Sequence, residues 1–131
     1  GILSITAIKL GAKKALGVDL DYPSIVATKK NADLNQVSDK IEVGLASVTE
    51  IQEGKFSLMN AEMVVVNILA PIIKRLFKNG LSDLVKDGGT LILSGILERE
   101  ANEIIETTEA QGFKLLTRYE ITDWVGLAFR K

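Results

Sequence analysis

The sequence predicts an α/β fold, arranged as a single domain over residues 1–131 on a mostly parallel sheet that ends in an antiparallel hairpin. Three observations carry this reading. Short, almost wholly apolar runs alternate with stretches of helical periodicity, the pattern of buried strands joined by crossover helices. Each helical stretch is short and bounded by glycine or proline, as helices between strands are. After Gly112 two strand candidates follow one another with no helix between them, which adds a hairpin.

The elements follow in order. Ile2, Leu3, Ile5, Ile8 and Leu10 fall on helical spacing and stop at Gly11, a suitable residue to end a helix. Residues 15–20, Ala-Leu-Gly-Val-Asp-Leu, make a strand run closing on an acid, expected to be buried on both faces. Pro23 suits the first turn of a helix that Ile25, Val26, Ala27, Ala32 and Leu34 carry to about Asn35. Residues 40–45 are a second strand, followed by a polar connection through Gly54. Residues 61–68 form a third strand through Met63-Val64-Val65-Val66, and residues 71–85 a helix. Asp87-Gly88-Gly89 signals a turn, after which residues 90–94 are strand-like and end at Ser94-Gly95. A helix over 98–111 turns Ala101, Ile104, Ile105 and Thr108 inward and ends at Gly112. Strands over 113–119 and 124–129, linked by Glu120-Ile121-Thr122-Asp123, close the chain. Right-handed crossovers are expected to place helices on both faces of the sheet.

Composition narrows the chemistry. The chain has no cysteine and no histidine, so thiolate nucleophiles, disulfides, imidazole bases and the commonest metal ligands are all ruled out, and no metal site is expected. Carboxylate, lysine or tyrosine remain for acid/base work, so reactions needing little proton transfer are favoured; the lack of cysteine fits a reducing compartment, and a cytoplasmic location is expected. A net charge of −1 gives no footprint for nucleic acid, whose phosphates demand a concentrated excess of Lys and Arg. The apolar runs are far too short to cross a membrane. The start at Gly1, without Met and directly into a helical stretch, reads as a chain cut at its N-terminus.

In an open parallel sheet, ligands bind beyond the carboxyl ends of the strands, so residues ending strands are the candidates. Asp19 is the first, with two readings. Its carboxylate can accept hydrogen bonds from both hydroxyls of a nucleoside ribose, or it can cap the helix near Pro23, a role for which Asp21 is better placed. Asn67 ends the third strand; its amide offers a donor and an acceptor to a ligand, or bonds to its own turn. Ser94-Gly95 fits a substrate pocket or a turn equally. Gly1, ahead of a helix, can be the last glycine of a nucleoside-cradling loop, although one glycine makes no motif. Lys13-Lys14 and Lys29-Lys30 are expected to be solvated, and Trp124 to pack at the sheet edge.

Taken together, Gly1-Ile2-Leu3-Ser4-Ile5, Leu10-Gly11-Ala12-Lys13 and Gly17-Val18-Asp19-Leu20-Asp21 resemble class I S-adenosylmethionine-dependent methyltransferases, whose sheet is Rossmann-like. More closely, Asn31-Ala32-Asp33-Leu34-Asn35, Val66-Asn67-Ile68-Leu69-Ala70, Leu93-Ser94-Gly95-Ile96-Leu97 and Trp124-Val125-Gly126-Leu127 resemble the PrmA family, which methylates the eleventh protein of the large ribosomal subunit. The resemblance implies S-adenosylmethionine as cofactor, and methyl transfer to lysine side chains and the N-terminal amine of that ribosomal protein. It implies that Asp19 holds the cofactor ribose and that Asn67 lines the cofactor and substrate-amine pocket, positioning the substrate. Gly1 becomes the final glycine of the cofactor loop. It further implies that the family's first strand, which lies between those ending at Asp19 and Asn67, and its substrate-recognition domain precede Gly1. The fragment alone is then expected to bind cofactor poorly and to be weakly active or inactive.

Other readings differ in what they predict. A methyltransferase for another protein or a small molecule shares the Asp19 site and differs in the recognition domain. A noncatalytic Rossmann-like module does not respond to Asp19→Ala. A nicotinamide oxidoreductase spaces its loop glycines differently.

Overall fold

A computed structural model describes all of residues 1–131. The chain divides into two compact units, Gly1–Met59 and Asn60–Lys131.

In the first unit, α1 (Ile2–Lys9) leads to β1 (Ala15–Asp19), α2 (Tyr22–Leu34), β2 (Ile41–Leu45) and α3 (Val48–Gln52). β1 and β2 pair in parallel from Ala15 opposite Ile41 to Asp19 opposite Leu45. Ile5 and Ile8 of α1, Ala32 of α2, Val37 and Ile41 form its core, with Ala15 and Val43 packed on them. The expected helix is present, but Ile2 and Leu10 are 76% and 83% exposed, so only its middle turn is anchored. β1 is only partly buried, and it stops at Asp19, leaving Leu20 exposed. α3 falls where only a polar connection was expected. Its start is a capping box: the Ser47 N–H donates to Glu50 Oε2 at 2.8 Å, holding the Glu50 carboxyl below its usual range.

The second unit holds β3 (Ala61–Asn67), α4 (Ala70–Lys78), β4 (Val85–Leu97), α5 (Ala101–Glu109), β5 (Lys114–Ile121) and β6 (Trp124–Arg130). Its sheet has the order β3-β4-β6-β5. β3 runs parallel to β4, and β6 runs antiparallel to both β4 and β5, so β6 alone opposes the common direction. The parallel core and terminal hairpin expected from the sequence are therefore present. Leu91, Leu93 and Ile96 of β4 and Val125, Leu127 and Phe129 of β6 are all buried. The partners Leu91 with Phe129, Leu93 with Leu127 and Ile96 with Val125 put them on one face. α4 and α5 touch one another and supply Ile73, Phe77, Ala101 and Ile104 to the same core. Phe113 packs edge-to-face on Phe77, at 6.3 Å between ring centres.

Several boundaries differ from expectation for identifiable reasons. The helix expected over 71–85 ends at Lys78, because Gly80 adopts a left-handed backbone with φ 95°. A 3₁₀ turn, Leu81–Leu84, follows, and Val85 already belongs to β4. Gly88 and Gly89 lie within β4 and make no turn ahead of it: the pairing steps from Ala61–Val85 to Met63–Thr90, so the intervening residues bulge out. Gly88 and Gly89 bond instead to Lys131, at 3.1 and 3.0 Å. Ser94-Gly95 does not end the strand either; β4 continues to Leu97 through a second irregularity between Leu93 and Ile96. β5 runs on to Ile121, so the hairpin link shrinks to Thr122-Asp123, with Thr122 at φ 53°. Trp124 sits on β6, an interior strand, not at the sheet edge.

Candidate functional site

Asp19 ends β1 with its side chain exposed. Its backbone carbonyl accepts from the Ala46 N–H at 3.0 Å, which fixes the strand end. Oδ1 accepts the Asp21 N–H at 3.0 Å. Helix capping falls to the neighbouring acid. Asp21 is the N-cap of α2, and its Oδ2 accepts from Ser24 Oγ at 2.7 Å and Ser24 N–H at 2.9 Å. Those two bonds, the hydroxyl's first, hold the Asp21 carboxyl below the usual carboxylate range. The stabilisation they give is present above the ordinary carboxylate pKa and is lost as pH falls through the depressed one. Of the two readings of Asp19, capping is thus taken by Asp21.

Gly1 is the N-cap residue of α1, where no side chain satisfies the first turn's N–H groups. A Cβ on Gly1 would lie 2.5 Å from Thr28 Cγ2 and 2.7 Å from Thr28 Oγ1, so the backbone here approaches α2 as only glycine allows.

In the second unit, Asn67 ends β3 opposite Ser94, and the Ile68 N–H donates to the Ser94 carbonyl at 3.0 Å. Gly95 has φ 78°, and a Cβ there would come within 2.9 Å of the Ile68 carbonyl oxygen and 3.0 Å of Asn67 Oδ1. The β4 irregularity is what lets the Asn67 carboxamide lie against the neighbouring strand. Beyond it opens a cleft of about 590 Å³, lined by Asn67, Ser94, Gly95, Tyr119, Trp124, Gly126 and apolar neighbours, with no charged side chain in its wall. Ser94-Gly95, which fitted a pocket or a turn equally, is part of the pocket wall.

Sequence reasoning singled out Asn67, Ser94-Gly95 and Trp124 but not Tyr119, Ile121 or Gly126. The signal was available in part: residues 119 and 121 share a face by the two-residue period of a strand. Pairing them with Gly126 and Trp124 required the hairpin register. No cluster of three or more His, Cys, Asp or Glu side chains is placed to hold a metal ion, and no helix is long and apolar enough to cross a membrane.

Comparison with known proteins adds to this geometry. A family model described as ribosomal protein L11 methyltransferase (PrmA) matches residues 1–131. A ribosomal protein L11 methyltransferase of Mannheimia succiniciproducens is 43% identical over 124 residues, covering 95% of this chain and 40% of that protein. The crystal structure of a ribosomal protein L11 methylase from Lactobacillus delbrueckii subsp. bulgaricus superposes with a TM-score of 0.86 at 31% identity, over 100% of this chain and 65% of that one. A Streptococcus agalactiae protein of the NADB-Rossmann superfamily has a TM-score of 0.77 at 18% identity, over 98% of this chain and 56% of that one, and so speaks to the fold alone: it is Rossmann-like. The chain spans about two fifths of the length of the curated relatives.

Proposed function

This chain belongs to the ribosomal protein L11 methyltransferase (PrmA) family, and on that premise we propose that it carries cofactor and acceptor sites of an S-adenosylmethionine-dependent protein N-methyltransferase. Its substrates are amino groups of ribosomal protein L11, lysine side chains and the N-terminal amine, and the reaction is cytoplasmic because ribosomes are its target. The 131 residues form one methyltransferase domain in this reading, and recognition of L11 falls to the part of the longer relatives that this chain does not match.

The residues fit the cofactor. An exposed carboxylate at a strand end, relieved of capping duty by Asp21, suits two ribose hydroxyls, and this is the observation that carries the proposal. Gly1 stands at a helix start whose first backbone N–H groups have no side-chain cap, and those N–H groups suit a ligand's oxygens. When bound, S-adenosylmethionine supplies an electrophilic sulfonium methyl group and leaves as S-adenosylhomocysteine after transfer. Asn67 would orient the acceptor amine through its amide, and the uncharged cleft beside it would exclude water and favour the neutral amine. The cleft wall holds no carboxylate or imidazole to take up a proton, and in this reading the acceptor enters as the neutral amine.

That chemistry fixes a pH profile. Only the neutral amine is nucleophilic, so kcat/KM for methyl transfer should climb about tenfold per pH unit below the acceptor's own pKa, near 10.4 for lysine and about 7.7–8.0 for an α-amine. Initial rates with isotopically labelled cofactor across that range provide the check. A profile flat from neutral pH upward with lysine as acceptor would count against transfer to a free amine.

A further inference from the structure

β5 is the outermost strand of its sheet, paired on one side only, and an edge strand that ends in a hairpin frays unless side chains hold it. Tyr119 and Ile121 stand on one face of its final turn-ward end, 66% and 64% exposed, so their own packing does not hold them. Arg118 and Glu120 stand on the other face, opposite Leu127 and Val125 of β6, which are buried. The Arg118 guanidinium gathers its contacts on that side. Its Nε donates to Glu120 Oε1 at 2.6 Å, Nη1 donates to Asn102 Oδ1 of α5 at 3.1 Å, and Nη2 lies 2.6 Å from Glu120 Oε1 and 3.6 Å from Glu98 Oε1. Glu98 opens the 3₁₀ turn that follows β4, and its own N–H donates to the Asp123 carbonyl in the hairpin link at 2.9 Å. One side chain thus joins β5, the end of β4 and α5. Its side chain is 28% exposed, against 61% for Glu98 and 47% for Glu120, so the guanidinium is the fixed centre of the network. The link itself needs such a hold. Thr122 keeps φ 53°, a conformation that costs a β-branched residue free energy and persists only where surrounding contacts impose it.

We infer that Arg118 is a positioning residue: from the sheet face opposite the cleft it holds the hairpin end, and with it the Tyr119 and Trp124 side of the cleft, in the arrangement that receives the acceptor. The inference rests on the methyltransferase reading above. Tyr119 lies between Arg118 and Glu120 in the chain, so an ion pair that fixes both neighbours fixes the backbone from which Tyr119 projects to the other side. A lysine would serve less well, because an ammonium is a point charge without the planar fork that meets several oxygens at set angles. Partly exposed ion pairs add little to global stability. What the network sets is the population of one hairpin placement, not whether the domain folds.

Hydrogen exchange and steady-state kinetics on the full-length protein test this together. Arg118→Ala should speed exchange of the backbone amides over residues 119–124 about tenfold and raise KM for the acceptor about tenfold, since apparent affinity falls with the fraction of molecules in the competent arrangement. Turnover at saturating acceptor, cofactor affinity and melting temperature should change little, a split that a merely structural role would not produce. Arg118→Lys should recover only part of the KM. Asn102→Ala removes one partner and puts a better helix former on α5, so it should repeat the effect on a smaller scale without loss of stability. Lys74→Ala breaks another exposed pair, to Glu103 at 2.6 Å between α4 and α5, and should leave exchange over 119–124 and KM as in the parent. Unchanged exchange over 119–124 in Arg118→Ala overturns the clamp, whatever the activity. Faster exchange with unaltered KM, in a parent active on its acceptor, overturns the positioning role and leaves the methyltransferase reading standing. A parent that binds no S-adenosylmethionine and methylates no amine overturns both.

Discussion

Replacing Asp19 by Ala in the full-length protein should weaken S-adenosylmethionine binding by about 100-fold or more, while leaving the fold in place. The carboxylate would give two hydrogen bonds to the ribose, and bonds to a charged group are each worth about 1.5–3 kcal/mol. Its one internal partner is the exposed Asp21 N–H, so its removal leaves no buried group unsatisfied. Asp19→Asn, which keeps shape and loses charge, should fall between the two. Asp21→Ala gives the contrast: it removes the cap of α2 and should lower the melting temperature with a smaller effect on affinity. Calorimetric titration of the three variants separates these outcomes. Equal losses from Asp19→Ala and Asp21→Ala would mean that the turn as a whole, and not the Asp19 carboxylate, serves the cofactor.

Asn67→Ala should cost about 100-fold in kcat, the penalty of losing alignment of a reacting group, with cofactor affinity reduced only several-fold. Gly95→Ala should reproduce much of that loss from the adjacent strand. Its Cβ would fall 3.0 Å from Asn67 Oδ1 and 2.9 Å from the Ile68 carbonyl, so the carboxamide or the strand end must shift. Alanine is also strained at φ 78°. Single-turnover rates under saturating cofactor distinguish misplaced amide from weakened binding. Unchanged rates for both variants would remove Asn67 from the acceptor site.

The fold was legible where local signals and tertiary demands agree. The parallel strands could be read from their apolar runs, and Asp19 and Asn67 from standing at the ends of two of them. Agreement failed where one signal served two purposes. Leu81, Leu84 and Val85 continue a helical spacing from α4, yet Gly80 breaks the helix and all three are buried beyond it. Gly88-Gly89 and Ser94-Gly95 look like strand ends, but both are irregularities inside one long strand, tolerated because neighbouring strands supply the pairing. α3 was missed although its Ser47 and Glu50 capping box is written in the sequence, because five residues give periodicity too little length. The cleft beside Asn67 was the least legible part. Trp124 was visible as a residue, but its neighbours Tyr119 and Gly126 become a wall and a floor only once the two-residue link at Thr122-Asp123 sets the register.

We propose that in the full-length protein Asp19 serves the cofactor and Asn67 the acceptor in transfer of methyl groups to amines of ribosomal protein L11. Intact-mass spectrometry of L11 after incubation with the full-length protein and S-adenosylmethionine tests it most directly. Mass gains in whole methyl increments, located on amino groups, are expected, and so is their loss with Asp19→Ala and Asn67→Ala. Unmodified L11 under conditions where the protein demonstrably binds S-adenosylmethionine would contradict it.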